Sequence, residues 1–318
     1  MPSDKSACGK YPDRGEGGSC DREGVINSQR RRLLTALMFA PLFAGQAVKA
    51  ALPVSGAQRI IALEWLPLEM LFALGVTPLA AADTHDYQLW VQDPPIPKGV
   101  VDVGKRAEPN LEYIAELQPD LILYTQGYGP REAQLHAIAP SMVFDFSDEH
   151  GQPLRTVRAG IVALAQRLDR MEAARTHLAW FDRQLAEAHA QLASYQRQPL
   201  LVFSLLDERH AVILGNKSLF GGVMQKLEIE NAWQGENSFW GTATVGIERL
   251  ATLPATRAIC LDHGDQAARA RIAATPVWQA IPFVRQNALR TVPAVWLFGA
   301  TLSALRFCRM LQQLEKQW

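Results

Sequence analysis

Short apolar runs alternate with helix-periodic segments along most of this chain. Arg59 to Leu63 reads as a strand and leads into Leu66, Met70, Leu71 and Leu74 at helical spacing, stopped by Gly75. Thr77 to Ala82 is extended and apolar. Asn110 is placed to cap a short helix over Leu111 to Leu117, which Gln118-Pro119 ends before a strand from Asp120 to Tyr124. Such alternation predicts strand–helix–strand units and a largely parallel sheet. Beyond Pro199 it resumes, with strand patterns over Leu200 to Leu206 and His210 to Leu214 and a helix over Leu219 to Leu227.

Between these halves the pattern changes. From Leu154 to about Tyr195 there is no proline and a single glycine, and Val157, Ile161, Leu164, Leu168, Leu178, Phe181, Leu185 and Leu192 recur at helical spacing, with a slip between Leu168 and Leu178. This predicts one helix of about 40 residues, about 60 Å long, bridging two α/β lobes with mainly parallel sheets. The expected organisation is an N-terminal lobe over 51–153, an interlobe helix over 154–196 and a C-terminal lobe over 197–318. Gly246 to Leu253 echoes Asn110 to Leu117, and each segment precedes an apolar strand, so the two lobes read as related halves.

Residues 1–50 follow another grammar. Arg30-Arg31-Arg32 runs into the apolar stretch Leu33 to Ala44 and a small-residue exit at Val48-Lys49-Ala50, the layout of a cleaved export signal, with adjacent arginines as in a twin-arginine leader. The apolar stretch is shorter than the roughly 20 residues of a membrane span. The polar segment from Met1 to Asn27 is long for the start of such a signal, and translation is expected to begin near Val25.

With 318 residues, 48% of them apolar, the chain has material for two cored domains. Thirty-two basic residues face 32 acidic ones, which removes the electrostatic basis for a nucleic-acid partner. The first 50 residues carry eight of the basic and five of the acidic residues, so the remainder is mildly acidic. Cys260 and Cys308 lie in apolar patterns and read as buried thiols or, in an oxidising compartment, a disulfide.

The nucleophile elbow, phosphate loop, zinc-protease helix and paired-cysteine motifs are absent from the sequence. His263, between Asp262 and Asp265, is a candidate metal or acid/base residue, although polar residues are ordinary at a strand end. The loops carry more distinctive chemistry. Tyr87 to Val91 and Trp233 to Gly241 set tryptophans among amides, which reads either as a hydrophobic plug or as the wall of a site for a bulky ligand. Arg106 and Tyr128 are candidate polar groups for such a site.

Seven segments, in order, closely resemble the periplasmic ferric-hydroxamate-binding family: Ala62 to Pro67, Leu89 to Val91, Glu108 to Glu112, Gly127 to Pro130, Ala232 to Glu236, Phe239 to Gly241 and Pro293 to Trp296. The resemblance implies two lobes tied by a rigid helix, an aromatic-lined cleft, no catalysis, no cofactor and no iron ligated by the protein. It implies that Arg106 hydrogen-bonds the hydroxamate oxygens with help from Tyr128. It makes Trp90, Trp240 and Trp296 wall residues, Trp65 and Trp233 weaker candidates, and puts Phe298 where a tyrosine is expected. It further implies a periplasmic monomer that delivers its siderophore to an inner-membrane ABC permease with a cytoplasmic ATPase, docking through Glu112 and Glu248. Haem or cobalamin are alternative ligands, and a metal chelatase is the alternative from another class.

Overall fold

In the computed structural model the described residues are 58–193, 195–253, 257–264 and 266–317. The expected export signal and start site, as well as Asp265, lie outside them. The first lobe holds strands β1 (Ile60–Ala62), β2 (Ala80–Ala81), β3 (Val101–Asp102), β4 (Leu121–Thr125) and β5 (Ser141–Phe144), with helices α1 (Trp65–Ala73), α2 (Thr84–Trp90), α3 (Leu111–Glu116) and α4 (Glu132–His136) between them. All its strand pairs are parallel, in the order β3-β2-β1-β4-β5. β1 and β4 are buried along their whole length, as central strands covered on both faces must be.

The interlobe region departs from expectation. The single helix expected over 154–196 is two helices, α5 (Pro153–Leu168) and α6 (Met171–Gln191). Asp169 sits in the left-handed region at φ 55°, and the Arg170 N–H bonds back to the Ala165 carbonyl at 2.8 Å, which closes α5 in a Schellman-type turn. Aspartate tolerates this conformation without the glycine that normally announces it. The slip between Leu168 and Leu178 was the trace of this break. The helices fold back on each other, joined by a bidentate Arg158–Asp182 pair at 2.6 and 2.9 Å. α6, about 31 Å long, then leads into the second lobe.

That lobe comprises β6 (Leu200–Leu205), β7 (His210–Leu214), α7 (Leu219–Lys226), β8 (Thr242–Gly246), α8 (Ile247–Leu250), β9 (Arg257–Asp262), α9 (Gln266–Ala273), α10 (Pro276–Ala280), α11 (Pro282–Arg285), β10 (Leu289–Pro293) and α12 (Thr301–Glu315). Its sheet runs β10-β9-β6-β7-β8, parallel on the β10/β9/β6 side and antiparallel on the β7/β8 side. The sequence echo has a structural counterpart: α3 precedes β4, which pairs with β1, and α8 precedes β9, which pairs with β6.

Alternate residues of the central strands face different cores. Ile60, Ala62, Leu121 and Leu123 of the first sheet share one core with Leu200, Val202, Ile259 and Leu261 of the second, through α1, α5, α6, α7 and α12. Ile61 and Ile122 face a separate core behind the first sheet, and Leu201, Phe203 and Cys260 one behind the second. Moving one lobe as a body against the other would expose side chains from the shared core at about 1.5–3 kcal/mol each. Cys260 and Cys308 are free and buried, and burial pushes each thiol up to about 12. Among the described residues no helix is long and apolar enough to cross a membrane.

Candidate ligand-binding cleft

Loops that leave the carboxyl ends of the strands meet between the two sheets, where open α/β sheets place their ligands. Glu64 follows β1, Arg106 follows β3, Tyr128 follows β4 and Phe146 follows β5; from the second lobe, Trp296 and Phe298 follow β10 and Trp240 precedes β8. With Leu66 and Thr125 these residues line a cavity of about 330 Å³.

The wall is a cluster of rings set edge to face. Phe298 lies 5.4 Å from Phe146, 5.4 Å from Trp240 and 5.6 Å from Trp296 between ring centroids, so the cluster crosses from one lobe to the other. Edge-to-face packing places the electropositive ring edge on a neighbour's electronegative face, which fixes the orientation of each ring. Two polar atoms of the lining residues, Thr125 Oγ1 and Trp296 Nε1, are buried and have no hydrogen-bond partner among the described residues.

Against Trp296, at the edge of this cluster, stands Arg106. Its guanidinium lies 3.6 Å above the Trp65 ring centroid, 5.0 Å from that of Trp296 and 5.6 Å from that of Tyr128, so three aromatic faces hold it by cation–π attraction. Nη1 is paired with Glu64, and Nε lies 3.5 Å from Asp83 Oδ2. Tyr128 reaches Arg106 because Gly129, at φ 78°, lets its loop close on the arginine backbone; a Cβ there would meet the Arg106 carbonyl at 2.9 Å. Glu64 also caps α1, accepting the Leu66 N–H at 2.8 Å. Burial pushes the Glu64 carboxyl above the ordinary carboxylate range, and the opposing pull of Arg106 offsets this only in part.

The structure thus gathers Arg106, Tyr128, Trp240, Trp296 and Phe298 around one cavity. Trp65 is buried beneath Arg106, its Nε1 donating to the Ala82 carbonyl at 3.3 Å; it supports the arginine from below. Trp90, at the end of α2, is 37% exposed and packs on His263 of the second lobe, 4.6 Å between ring centroids, outside the cavity lining. Trp233 is a correction: it lies in the core behind the second sheet, because Asn231 binds its backbone N–H at 2.9 Å and its Nε1 turns to the Glu236 carbonyl at 3.3 Å. His263 shares a 3.1 Å hydrogen bond with Ser204, and desolvation depresses its pKa. Glu112 and Glu248 are exposed in the first turns of α3 and α8.

Sequence reasoning missed Glu64, Leu66, Thr125 and Phe146. Glu64 had a signal, since a carboxylate wedged between Leu63 and Trp65 at a strand end calls for a partner. Phe146 had none.

Residues 60–295 match the family described as periplasmic binding protein. Over 288 residues the chain is 44% identical to the iron(3+)-hydroxamate-binding protein FhuD of Escherichia coli K12, covering 91% of this chain and 97% of that one. Among solved structures it is similar to FhuD from Vibrio cholerae bound to Fe3+-Desferal, with a TM-score of 0.73 at 24% identity over 81% of this chain and 97% of that one. It is also similar to FhuD2 from Staphylococcus aureus with bound ferrioxamine B, with a TM-score of 0.68 at 17% identity over 82% and 98%. At those identities the structural likeness carries the fold alone. The match runs from β1 to the loop that bears the aromatic wall, and the chain belongs to the periplasmic binding protein family.

Proposed function

We propose that this chain is the solute-binding component of an ABC importer, which carries an iron(III)–hydroxamate siderophore in its cleft to an inner-membrane permease. The observation that carries this reading is an aromatic wall drawn from both lobes facing one guanidinium. A trishydroxamate neutralises ferric iron and leaves an uncharged complex with oxygens on its surface. Rings contact the bulk of such a ligand, while Arg106 donates charge-assisted hydrogen bonds to the oxygens and Tyr128 offers a further donor. The iron is cargo, its coordination shell filled by the siderophore, so the protein supplies no iron ligand and needs no cofactor. Periplasmic binding proteins are not enzymes. Both walls of the cleft come from one chain, which supports a monomer, and the likeness to FhuD supports a periplasmic location.

Tryptophan fluorescence tests this directly, because Trp240 and Trp296 line the cavity. Ferrichrome and a ferrioxamine are expected to quench it saturably. Quenching by haem or cobalamin with no response to hydroxamates would replace the reading with one of those ligands.

Delivery requires a docking surface, and Glu112 and Glu248 present one carboxylate on each lobe at equivalent helix starts. Negative charge there also complements the helix dipole, which by itself is a structural role. Replacing both with alanine is expected to leave siderophore affinity intact and to impair growth on ferric hydroxamate as sole iron source. Normal growth would leave them only the structural role.

A further inference from the structure

The guanidinium that faces the cleft is electrically cancelled. Arg106 is paired with Glu64 and approached by Asp83, while Lys105 joins Asp83 at 2.9 Å and Asp86 at 2.8 Å, so two cations face three carboxylates. The side chains of Glu64 and Arg106 are 9% and 14% exposed, and solvent screens their field poorly. No other cation lines the cavity among the described residues; its remaining lining is Leu66, Thr125, Tyr128 and four aromatic rings. Glu64 and Asp83 engage Nη1 and Nε of Arg106, while Nη2 has no partner among the described residues and keeps its N–H groups for a ligand.

We infer that Glu64 is a specificity-determining residue, a charge filter: its carboxylate behind Arg106 leaves the cleft a hydrogen-bond donor without a net positive charge, so iron complexes bearing net negative charge are rejected. This deepens the proposed function and rests on it. Hydrogen-bond donation and charge are separable here. An uncharged hydroxamate complex needs only the donors, whereas a trianionic complex of catecholates would place its negative charge beside two buried or half-buried carboxylates, Glu64 and Asp83, with no free cation to offset them.

The experiment compares ferrichrome with a ferric tris-catecholate by fluorescence titration of the wild type, Glu64→Gln and Asp83→Asn. Glutamine keeps an amide oxygen to accept from Leu66 and Arg106 but removes the charge. The quantity read is the ratio of the two dissociation constants, and its change on substitution cancels the difference in ligand shape. Glu64→Gln is expected to shift that ratio toward the catecholate by about tenfold or more, and Asp83→Asn by a smaller factor in the same direction. A ratio that stays at the wild-type value in folded Glu64→Gln overturns the inference, as does a wild type that binds both complexes equally well. If Glu64→Gln does not fold, an unmoved ratio in Asp83→Asn is the overturning result. A wild type that binds neither complex overturns the functional reading, and this inference with it.

Discussion

Arg106→Ala is expected to weaken ferric-hydroxamate binding by about 1.5–3 kcal/mol, roughly 10- to 150-fold, because it removes charge-assisted hydrogen bonds from a guanidinium that is itself largely buried. The substitution does more than delete a ligand contact. Glu64 is left buried without its counter-charge, and stranding a buried ion in this way costs up to about 3–5 kcal/mol unless the carboxyl takes up a proton. The lost pull of Arg106 lets burial raise the Glu64 carboxyl further, so the variant binds that proton more tightly folded than unfolded. Its stability deficit is therefore small at acid pH and grows as pH rises through the folded-state pKa. Arg106→Ala combined with Glu64→Gln separates the two effects: denaturant midpoints are expected to recover toward wild type while affinity for ferrichrome stays low. If Arg106→Ala binds ferrichrome as tightly as wild type, Arg106 is a structural partner of Glu64 and not the ligand anchor.

Across the window from about pH 4.5 to about 7, folding is expected to lose about 3 kcal/mol through a single carboxylate, Glu69. Glu69 projects from α1 of the first lobe, is fully buried, and accepts the backbone N–H groups of Ala300 at 2.9 Å and Ser303 at 3.1 Å together with the Ser303 hydroxyl. It thereby caps α12, just beyond the Trp296 and Phe298 wall. Desolvation is the largest influence and raises its pKa to about 7, against the opposing pull of those hydrogen bonds; the nearby charge of Glu64 adds a small further push upward. A carboxyl with a folded pKa above its unfolded value binds its proton more tightly when folded. Its contribution is thus fully present below about pH 4.5 and is lost as pH rises through about 7.

His177, hydrogen-bonded to Thr301 at 2.8 Å at the same helix start, has its pKa depressed by burial and works in the opposite direction. The difference between wild type and Glu69→Gln isolates the carboxylate. Glutamine is expected to flatten that loss, with its gain over wild type growing from pH 5 to pH 8 in urea denaturation. Parallel profiles across that range would show that Glu69 does not titrate there.

Much of this molecule is legible residue by residue. Unlike the antiparallel β6–β7–β8 part of the second sheet, the parallel first sheet and the echo between α3–β4 and α8–β9 follow from apolar runs and caps such as Asn110, whose side chain accepts the Tyr113 N–H at 2.9 Å. These are local effects, decided within a few residues by periodicity and backbone hydrogen bonding. Arg106, Tyr128 and Trp240 were visible because aromatic and cationic side chains in loops have no local reason to be there, whereas Trp296 and Phe298 were named only through the family resemblance. Folding brings them to one cavity.

What the sequence could not decide are matters of long-range partnership. The interlobe helix breaks at Asp169, a residue that enters the left-handed region without a glycine or proline to mark it. Trp233 and Trp240 share a loop, yet one packs behind the second sheet and the other lines the cleft, and their sequence surroundings do not distinguish them. Glu64 meets Arg106 across 42 positions and Glu69 meets Ala300 across 231. Hydrophobic pattern determines which side of its own element a side chain leaves. Which surface it then meets is set only when two sheets and the helices between them close on a shared core, and in this protein both buried carboxylates and the aromatic wall are products of that closure.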